Sequence, residues 1–290
     1  MSIISNILEA FRNIPFTLKD AYSVNTEMKE ESVRARIYEH VGIEFEKLGR
    51  GLYISKDENC LIVNGDGRKL DFLENGSIDC IIADHPWDSD SNKGGNKNFA
   101  KYDCFVYEQE DFIEKARVLK DGSFLCEIIP EENSDNYEYL YKIKQMAKKA
   151  GLLYYCKVKW KKGTFVAYTG RKAKNSEDIM IFSKGKARPL RISNGKLMSG
   201  CNMLPTEFNV EPVQRSDVIV QSEKPPFLFE RLLEYLTKEN ELVLDQFAGG
   251  GAVGIACKRK NRKCILIEKA KKHLDVILWR LEAKNALEAF

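Results

Sequence analysis

A chain of 290 residues with 43% apolar composition can bury one sizeable core and still carry a small second domain. No run approaches the roughly 18 apolar residues that span a bilayer, and Met1–Arg12 lacks the basic start and small-residue cleavage site of a secretion signal, so a cytoplasmic protein with no membrane partner is expected. A net charge of +3 is too even to define a polyanion binder by itself.

The first 55 residues read as a separate unit. Ser5–Phe11, Leu18–Val24 (with Thr17 as N-cap) and Ser32–Val41 read as helices, the third burying Val33, Ile37 and Val41 and exposing Arg34 and Tyr38. Phe45–Ile54 reads as a hairpin with Gly49-Arg50-Gly51 at its tip. Three helices and a basic-tipped hairpin resemble a winged helix, whose third helix would enter the major groove; Arg34 and Arg50 are its candidate DNA contacts. The alternative is a small helical cap on the main domain.

From about residue 56 to 290, strand-like and helical runs alternate. Strands are expected at Cys60–Val63, Ile78–Ala83, Ser123–Ile129, Leu153–Trp160, Ile179–Phe182, Leu242–Leu244 and Cys264–Ile267. Helices are expected near Glu110–Leu119, Tyr137–Ala150, Phe227–Leu236 and Ala252–Lys258. This alternation predicts an α/β fold with a mostly parallel, twisted sheet covered on both faces. In Leu153–Trp160, Tyr154, Cys156, Val158 and Trp160 should share one face and Lys157 and Lys159 the other, wet one, as near a sheet edge. Periodicity disappears over about 185–221, an irregular insert containing Arg188 and Arg191.

The eight cysteines form no Cys-x-x-Cys pair and the three histidines are scattered, so reduced, structural thiols and no metal are expected. Two basic clusters, Lys157–Lys162 and Lys258–Lys263, are open between a phosphate-facing surface and a solvated face.

Two short stretches carry the chemistry. Leu242-Val-Leu-Asp-Gln-Phe-Ala-Gly-Gly-Gly251 is an apolar strand, an acid and a glycine turn leading into a helix, the layout of a nucleotide-type cofactor cradle. Glu268 closes the next strand about 17 residues beyond Gly251, where a carboxylate can accept hydrogen bonds from a ribose diol. The turn lacks G-x-G-x-x-G spacing, which disfavours a dinucleotide, and the chain has no P-loop. The second stretch, Asp84-His85-Pro86-Trp87, ends another apolar run.

In this order the motifs resemble the β-class DNA amino-methyltransferases, which use S-adenosylmethionine. Asp84–Trp87 is similar to that class's Asp-Pro-Pro-Tyr/Trp motif and Phe247–Gly251 to its Phe-x-Gly-x-Gly motif. Asn64-Gly-Asp66, Ser222–Pro225 and Glu177–Lys184 match its flanking segments, and the likeness covers roughly 60–285. The resemblance implies a Rossmann-like methyltransferase fold that methylates the exocyclic N6 of an adenine flipped out of duplex DNA. It assigns Asp84 and the His85 carbonyl as acceptors for the amine, with Pro86 shaping the turn and Trp87 stacking on the base. It places Asp66, Lys224, Asp245, Phe247, Gly249, Gly251 and Glu268 around the cofactor, and Lys93, Lys97, Arg188 and Arg191 on DNA. Cytosine-N4 methylation is the runner-up, since Asp rather than Ser at 84 only leans to adenine. A non-catalytic DNA-binding regulator that senses the cofactor is kept alive by His85, which stands where the family has proline. A homodimer and a cognate restriction enzyme are both left open.

Overall fold

The computed structural model describes residues 2–11, 15–55, 59–86, 104–163, 175–189, 192–193, 196–197, 204–214, 216–281 and 287–288. Trp87, Lys93, Lys97 and Arg191 therefore lie outside the described residues.

The N-terminal residues form α1 (Ile3–Ala10), β1 (Phe16–Thr17), α2 (Leu18–Ser23), α3 (Glu30–His40), β2 (Phe45–Gly49) and β3 (Leu52–Ser55). Thr17 caps α2 in a reciprocal box with Asp20: its hydroxyl accepts from the Asp20 N–H, and the Asp20 carboxylate accepts from the Thr17 N–H at 2.7 Å. Strands β1, β3 and β2 pair antiparallel in that order, and Ile7, Phe16, Ala21, Val33, Ile37, Phe45 and Tyr53 form a core of their own. Arg34 and Tyr38 are exposed on α3 as expected, but Val41 is exposed too, because the helix ends at His40 and turns it away. Strand β1, only two residues long, left no period to read.

The hairpin also docks on the rest of the chain. Leu48 and Leu52 are buried with Leu70 and Leu73, the Glu74 N–H donates to the Leu48 carbonyl at 3.1 Å, and Lys47 pairs with Glu74 at 2.8 Å. A Cβ at Gly49 would lie 1.9 Å from the Phe72 carbonyl oxygen, so only glycine permits this approach.

The remaining elements are β4 (Cys60–Asn64), β5 (Ile78–Ala83), α4 (Gln109–Val118), β6 (Leu119–Pro130), α5 (Tyr137–Lys149), β7 (Leu152–Lys161), β8 (Ser176–Lys184), β9 (Ile192–Ser193), β10 (Lys196–Leu197), β11 (Glu207–Asn209), α6 (Pro226–Leu236), β12 (Leu242–Asp245), α7 (Ala252–Arg259), β13 (Lys263–Glu268), α8 (Lys271–Leu281) and β14 (Leu287–Glu288). Among the described residues the large sheet runs β11-β7-β8-β6-β5-β12-β13-β4-β14 and is parallel except for β8, which runs against both of its neighbours.

Every residue of β5 is buried, as a strand covered on both faces requires. Alternate residues feed two cores. Cys80, Ile82, Val243 and Leu266 meet α6, α7 and α8, whereas Ile81, Leu244 and Ile265 meet α4 and α5. The result is three layers. Pro225 and Pro226 start α6 with the fixed φ that a first turn needs. No helix among the described residues is long and apolar enough to cross a membrane.

One sheet expectation fails for a local reason. A register irregularity between Tyr154 and Cys156 of β7 shifts the alternation, so Tyr154 is exposed while Val158 and Trp160 are buried. Strand β7 lies one place in from the edge strand β11.

Candidate active site

Strands β5 and β12 are parallel neighbours, with Ile82 opposite Asp245. The acidic turn after β5 and the glycine turn after β12 therefore leave the sheet side by side at one rim. Strand β5 leads through α4 to β6 on one side, and β12 leads through α7 to β13 on the other. Between them the direction of winding reverses, which is where open α/β sheets bind ligands. Glu268 ends β13 opposite Asn64 of β4, so Asp84, Asp245, Glu268 and the Asn64–Asp66 turn occupy consecutive strand ends.

The glycine turn is built to admit a ligand. Gly249 and Gly251 adopt φ of +50° and +80°, and a Cβ at Gly249 would meet nothing within 4 Å. Glu268 braces this turn: one carboxylate oxygen accepts from the Gly249 N–H at 2.8 Å, the other from the Ala270 N–H at 2.7 Å. Asp245 accepts from the Phe247 N–H at 3.0 Å, and burial pushes its carboxyl up to about 8, with Asp84 and Glu268 adding to the rise. Gln246 donates to the Gly67 carbonyl at 2.6 Å but its buried side-chain oxygen has no partner. Asp66 accepts from the Arg68 N–H at 3.0 Å, a turn-forming bond that keeps a structural role beside any cofactor role. An open glycine turn with Asp66, Asp245 and Glu268 on the adjoining strand ends fits a cationic nucleoside cofactor.

Asp84 has a partner that sequence reasoning placed elsewhere. Lys224, expected beside the cofactor, puts its Nζ 2.7 Å from the Asp84 carboxylate and 3.5 Å from Glu177, which in turn pairs with Lys162. Burial pushes the Asp84 carboxyl up and Lys224 opposes that rise. Burial alone would lower Lys224, but Asp84 and Glu177 hold it above its ordinary value. The lysine is presented by a braced loop: Ser222 takes a left-handed φ of +61°, and Glu223 accepts from the Ile219 and Val220 N–H groups while pairing with Arg280.

Behind the acidic turn lies a buried polar cluster that the sequence reading missed. His85 Nε2 lies 3.0 Å from the Tyr139 hydroxyl, Tyr107 donates its hydroxyl proton to Glu127 at 3.0 Å, and Lys115 pairs with Glu127 in full burial. A signal existed: Glu127 interrupts the apolar strand Phe124–Ile129, and Lys115 sits on the buried side of α4 with Phe112 and Ala116. The Phe247 ring, 5.4 Å from Phe105, joins this cluster to the glycine turn, and the Phe105 N–H donates to the Pro86 carbonyl at 3.2 Å.

The expected DNA contacts are scattered. Arg34 and Arg50 are exposed on the N-terminal unit. Arg188 is not at the site: it sits at the opposite, amino-terminal rim, donating to Glu241 at 2.6 and 2.8 Å and lying 3.5 Å from Asp79. Its partners hold it as a brace between strands. Arg188→Ala should lower stability by about 1–3 kcal/mol in chemical denaturation and leave the choice of DNA site unchanged. The first basic cluster is paired with acids throughout, and the second in part. Lys157, Lys159, Lys161 and Lys162 each pair with Asp or Glu, and Arg259 and Lys260 pair with Glu230 and Glu234.

An open, mostly parallel sheet with a cofactor-type glycine turn and an acidic turn at its switch point defines an α/β enzyme of the methyltransferase type. Residues 78–278 match the N6/N4 methylase family, described as DNA methylase, and the chain belongs to it. Members of this family draw their methyl group from S-adenosylmethionine. The chain is 27% identical over 241 residues to the Type II methyltransferase M.HpaI of Haemophilus parainfluenzae, covering 77% of this chain and 74% of that one. In fold it is similar to the M1.HpyAVI–SAM complex, with a TM-score of 0.58 and 20% identity over 77% of this chain and 98% of that one. It is similar also to the cytosine-N4-specific PvuII DNA methyltransferase, with a TM-score of 0.57 and 15% identity over 77% and 86%.

Proposed function

We propose that this chain transfers the methyl group of S-adenosylmethionine to the exocyclic N6 of an adenine flipped out of duplex DNA. The observation that carries the proposal is the juxtaposition of Asp84 and the Gly249 turn at the ends of paired strands. When bound, the cofactor would supply an electrophilic sulfonium methyl, and its sulfur would keep the electron pair of the broken sulfur–methyl bond and leave as a neutral thioether. The chain's own groups do the rest. The adenine amine is a poor nucleophile because its lone pair is delocalised into the ring. The Asp84 carboxylate and the His85 carbonyl accept hydrogen bonds from its two N–H groups, turning the nitrogen toward tetrahedral geometry and freeing the pair to attack. The nitrogen becomes cationic on forming its bond to carbon, and its surplus proton passes to Asp84, whose raised proton affinity suits it to receive one. Asp245, Glu268 and the glycine turn hold the cofactor, and positioning supplies much of the rate.

The deciding experiment is to incubate duplex DNA with labelled cofactor, digest it, and identify the modified nucleoside by mass spectrometry. N6-methyladenine is expected. N4-methylcytosine, favoured by the likeness to the PvuII enzyme, would transfer the same chemistry to the other base. Binding of cofactor and DNA without any transfer would establish the regulator instead.

Asp245 makes cofactor binding pH-dependent. A neutral Asp245 cannot pair with the cofactor's cationic methionine moiety, so affinity should rise with pH until about 8 and then level off. Asp245→Asn should weaken binding and flatten this dependence in calorimetric titrations.

Residues 1–55 serve as a winged-helix-like DNA-binding unit in this reading. The helix-strand-helix-helix-hairpin order, the separate core and the exposed Arg34, Tyr38 and Arg50 support it. Because Leu48 and Leu52 share a core with Leu70 and Leu73, deleting the unit would damage the remainder, and charge reversal is the cleaner test. Arg34→Glu with Arg50→Glu should weaken DNA binding and reduce the slope of log K against log salt by about 1–2, as lost phosphate contacts require. An unchanged slope would leave the unit a structural cap. The insert over about 185–221, apart from Arg188, is the proposed sequence reader.

A further inference from the structure

His85 departs from the proline that the resemblance implies, and its side chain is 1% exposed. It is anchored from α5, from β6 and from the segment before α4. Tyr139 of α5 meets its Nε2 at 3.0 Å, the Tyr107 ring packs on it at 4.0 Å between centroids, and Glu127 of β6 lies 3.9 Å from its Nδ1. His85 Nε2 and the Tyr139 hydroxyl share this hydrogen bond, and the Tyr139 oxygen also accepts from the Tyr107 N–H at 3.2 Å, which ties the imidazole edge to α5 and to the segment before α4. Burial, reinforced by the nearby Lys115 charge, keeps the imidazole neutral. Glu127 lies opposite Ala83 in the β5–β6 register, so the anchor is one residue from Asp84 itself.

We propose that the His85 side chain is a positioning residue: fastened to Tyr139 and packed against Tyr107 and Glu127, it holds the Asp84–Pro86 turn in its working shape, replacing the rigidity of the missing proline. The role rests on the methyltransferase reading. Its Nε2 is committed inside the core, so the proton of the target amine goes to Asp84 and not to the imidazole. The Glu127–Lys115 pair is the foundation of the anchor. Burial drives Lys115 down and Glu127 up, and each steadies the charge of the other.

The test compares full-length wild type, Tyr139→Phe, His85→Ala and the double variant. Tyr139→Phe removes one oxygen and keeps the ring, so it is the variant most certain to fold. Both single changes should lower kcat about ten- to a hundredfold, as a misplaced acceptor does, with KM for DNA and cofactor within about twofold. The double variant should be little worse than His85→Ala, because both act through one contact. The acid limb of the pH–rate profile should survive in His85→Ala, since Asp84 sets it while Lys115, Glu127, Tyr107 and Tyr139 enclose the imidazole. Amide hydrogen exchange across residues 84–86 should quicken in each variant, with or without activity. Unchanged kcat and exchange in Tyr139→Phe and His85→Ala would overturn the proposal, and so would loss of the acid limb in His85→Ala. Should the wild type transfer no methyl group, the enzymatic reading fails by itself, and the exchange measurement still decides the anchor.

Discussion

Asp84→Ala is expected to reduce methyl transfer by about a thousandfold while cofactor affinity stays within about twofold of wild type. Asp84 follows β5 at the rim it shares with the glycine turn, whereas the proposed cofactor cradle is assembled from the ends of β12, β13 and β4. Removing the acceptor therefore leaves the cradle standing. One consequence follows from the ion pair: Lys224 in that variant loses its 2.7 Å partner and keeps Glu177 and the Ser222 carbonyl, each at 3.5 Å. Asp84→Asn, which retains the size and a carbonyl acceptor, should keep more activity than alanine. Single-turnover transfer with saturating cofactor separates these outcomes, and wild-type turnover in Asp84→Ala would refute the assigned role.

Lys224→Met is expected to act through pH. Asp84 can take the surplus proton of the amine only when ionised. Burial raises its carboxyl, and Lys224 supplies the largest opposing pull. Without that charge the carboxyl rises further, and the acid limb of kcat should move to higher pH. Activity below that limb should therefore fall and recover as the pH is raised. If cofactor affinity fell instead, with the pH profile unmoved, Lys224 would serve the cofactor, as the sequence alone implied.

The comparison of sequence with structure turns on which signals are local. Apolar runs closed by an acid located β5, β12 and β13, and strand adjacency then carried the two turns to one rim, a relation that the linear order of motifs had already implied. The N-terminal helices were legible from caps and stripes, with ends shifted by a residue or two. What stayed hidden depends on long-range partners. A lysine before a helix gives no hint that it reaches a carboxylate some 140 residues earlier, as Lys224 does with Asp84. Arg188 read as a DNA contact in an irregular insert, yet Asp79 of β5 and Glu241, just before β12, claim it. The Tyr154 face was misread because a single extra residue in β7 breaks a period of two. Helix α8 was overlooked despite Leu274, Ile277, Leu278 and Leu281 at helical spacing, a signal that was present and unread.

The most direct measurement is a crystal structure of the chain with S-adenosylmethionine and duplex DNA. The account predicts the cofactor on the Gly249 turn and its methyl carbon about 3–3.5 Å from an exocyclic amine, with that amine donating to Asp84. A cofactor seated away from the glycine turn, or a methyl group facing away from Asp84, would contradict it.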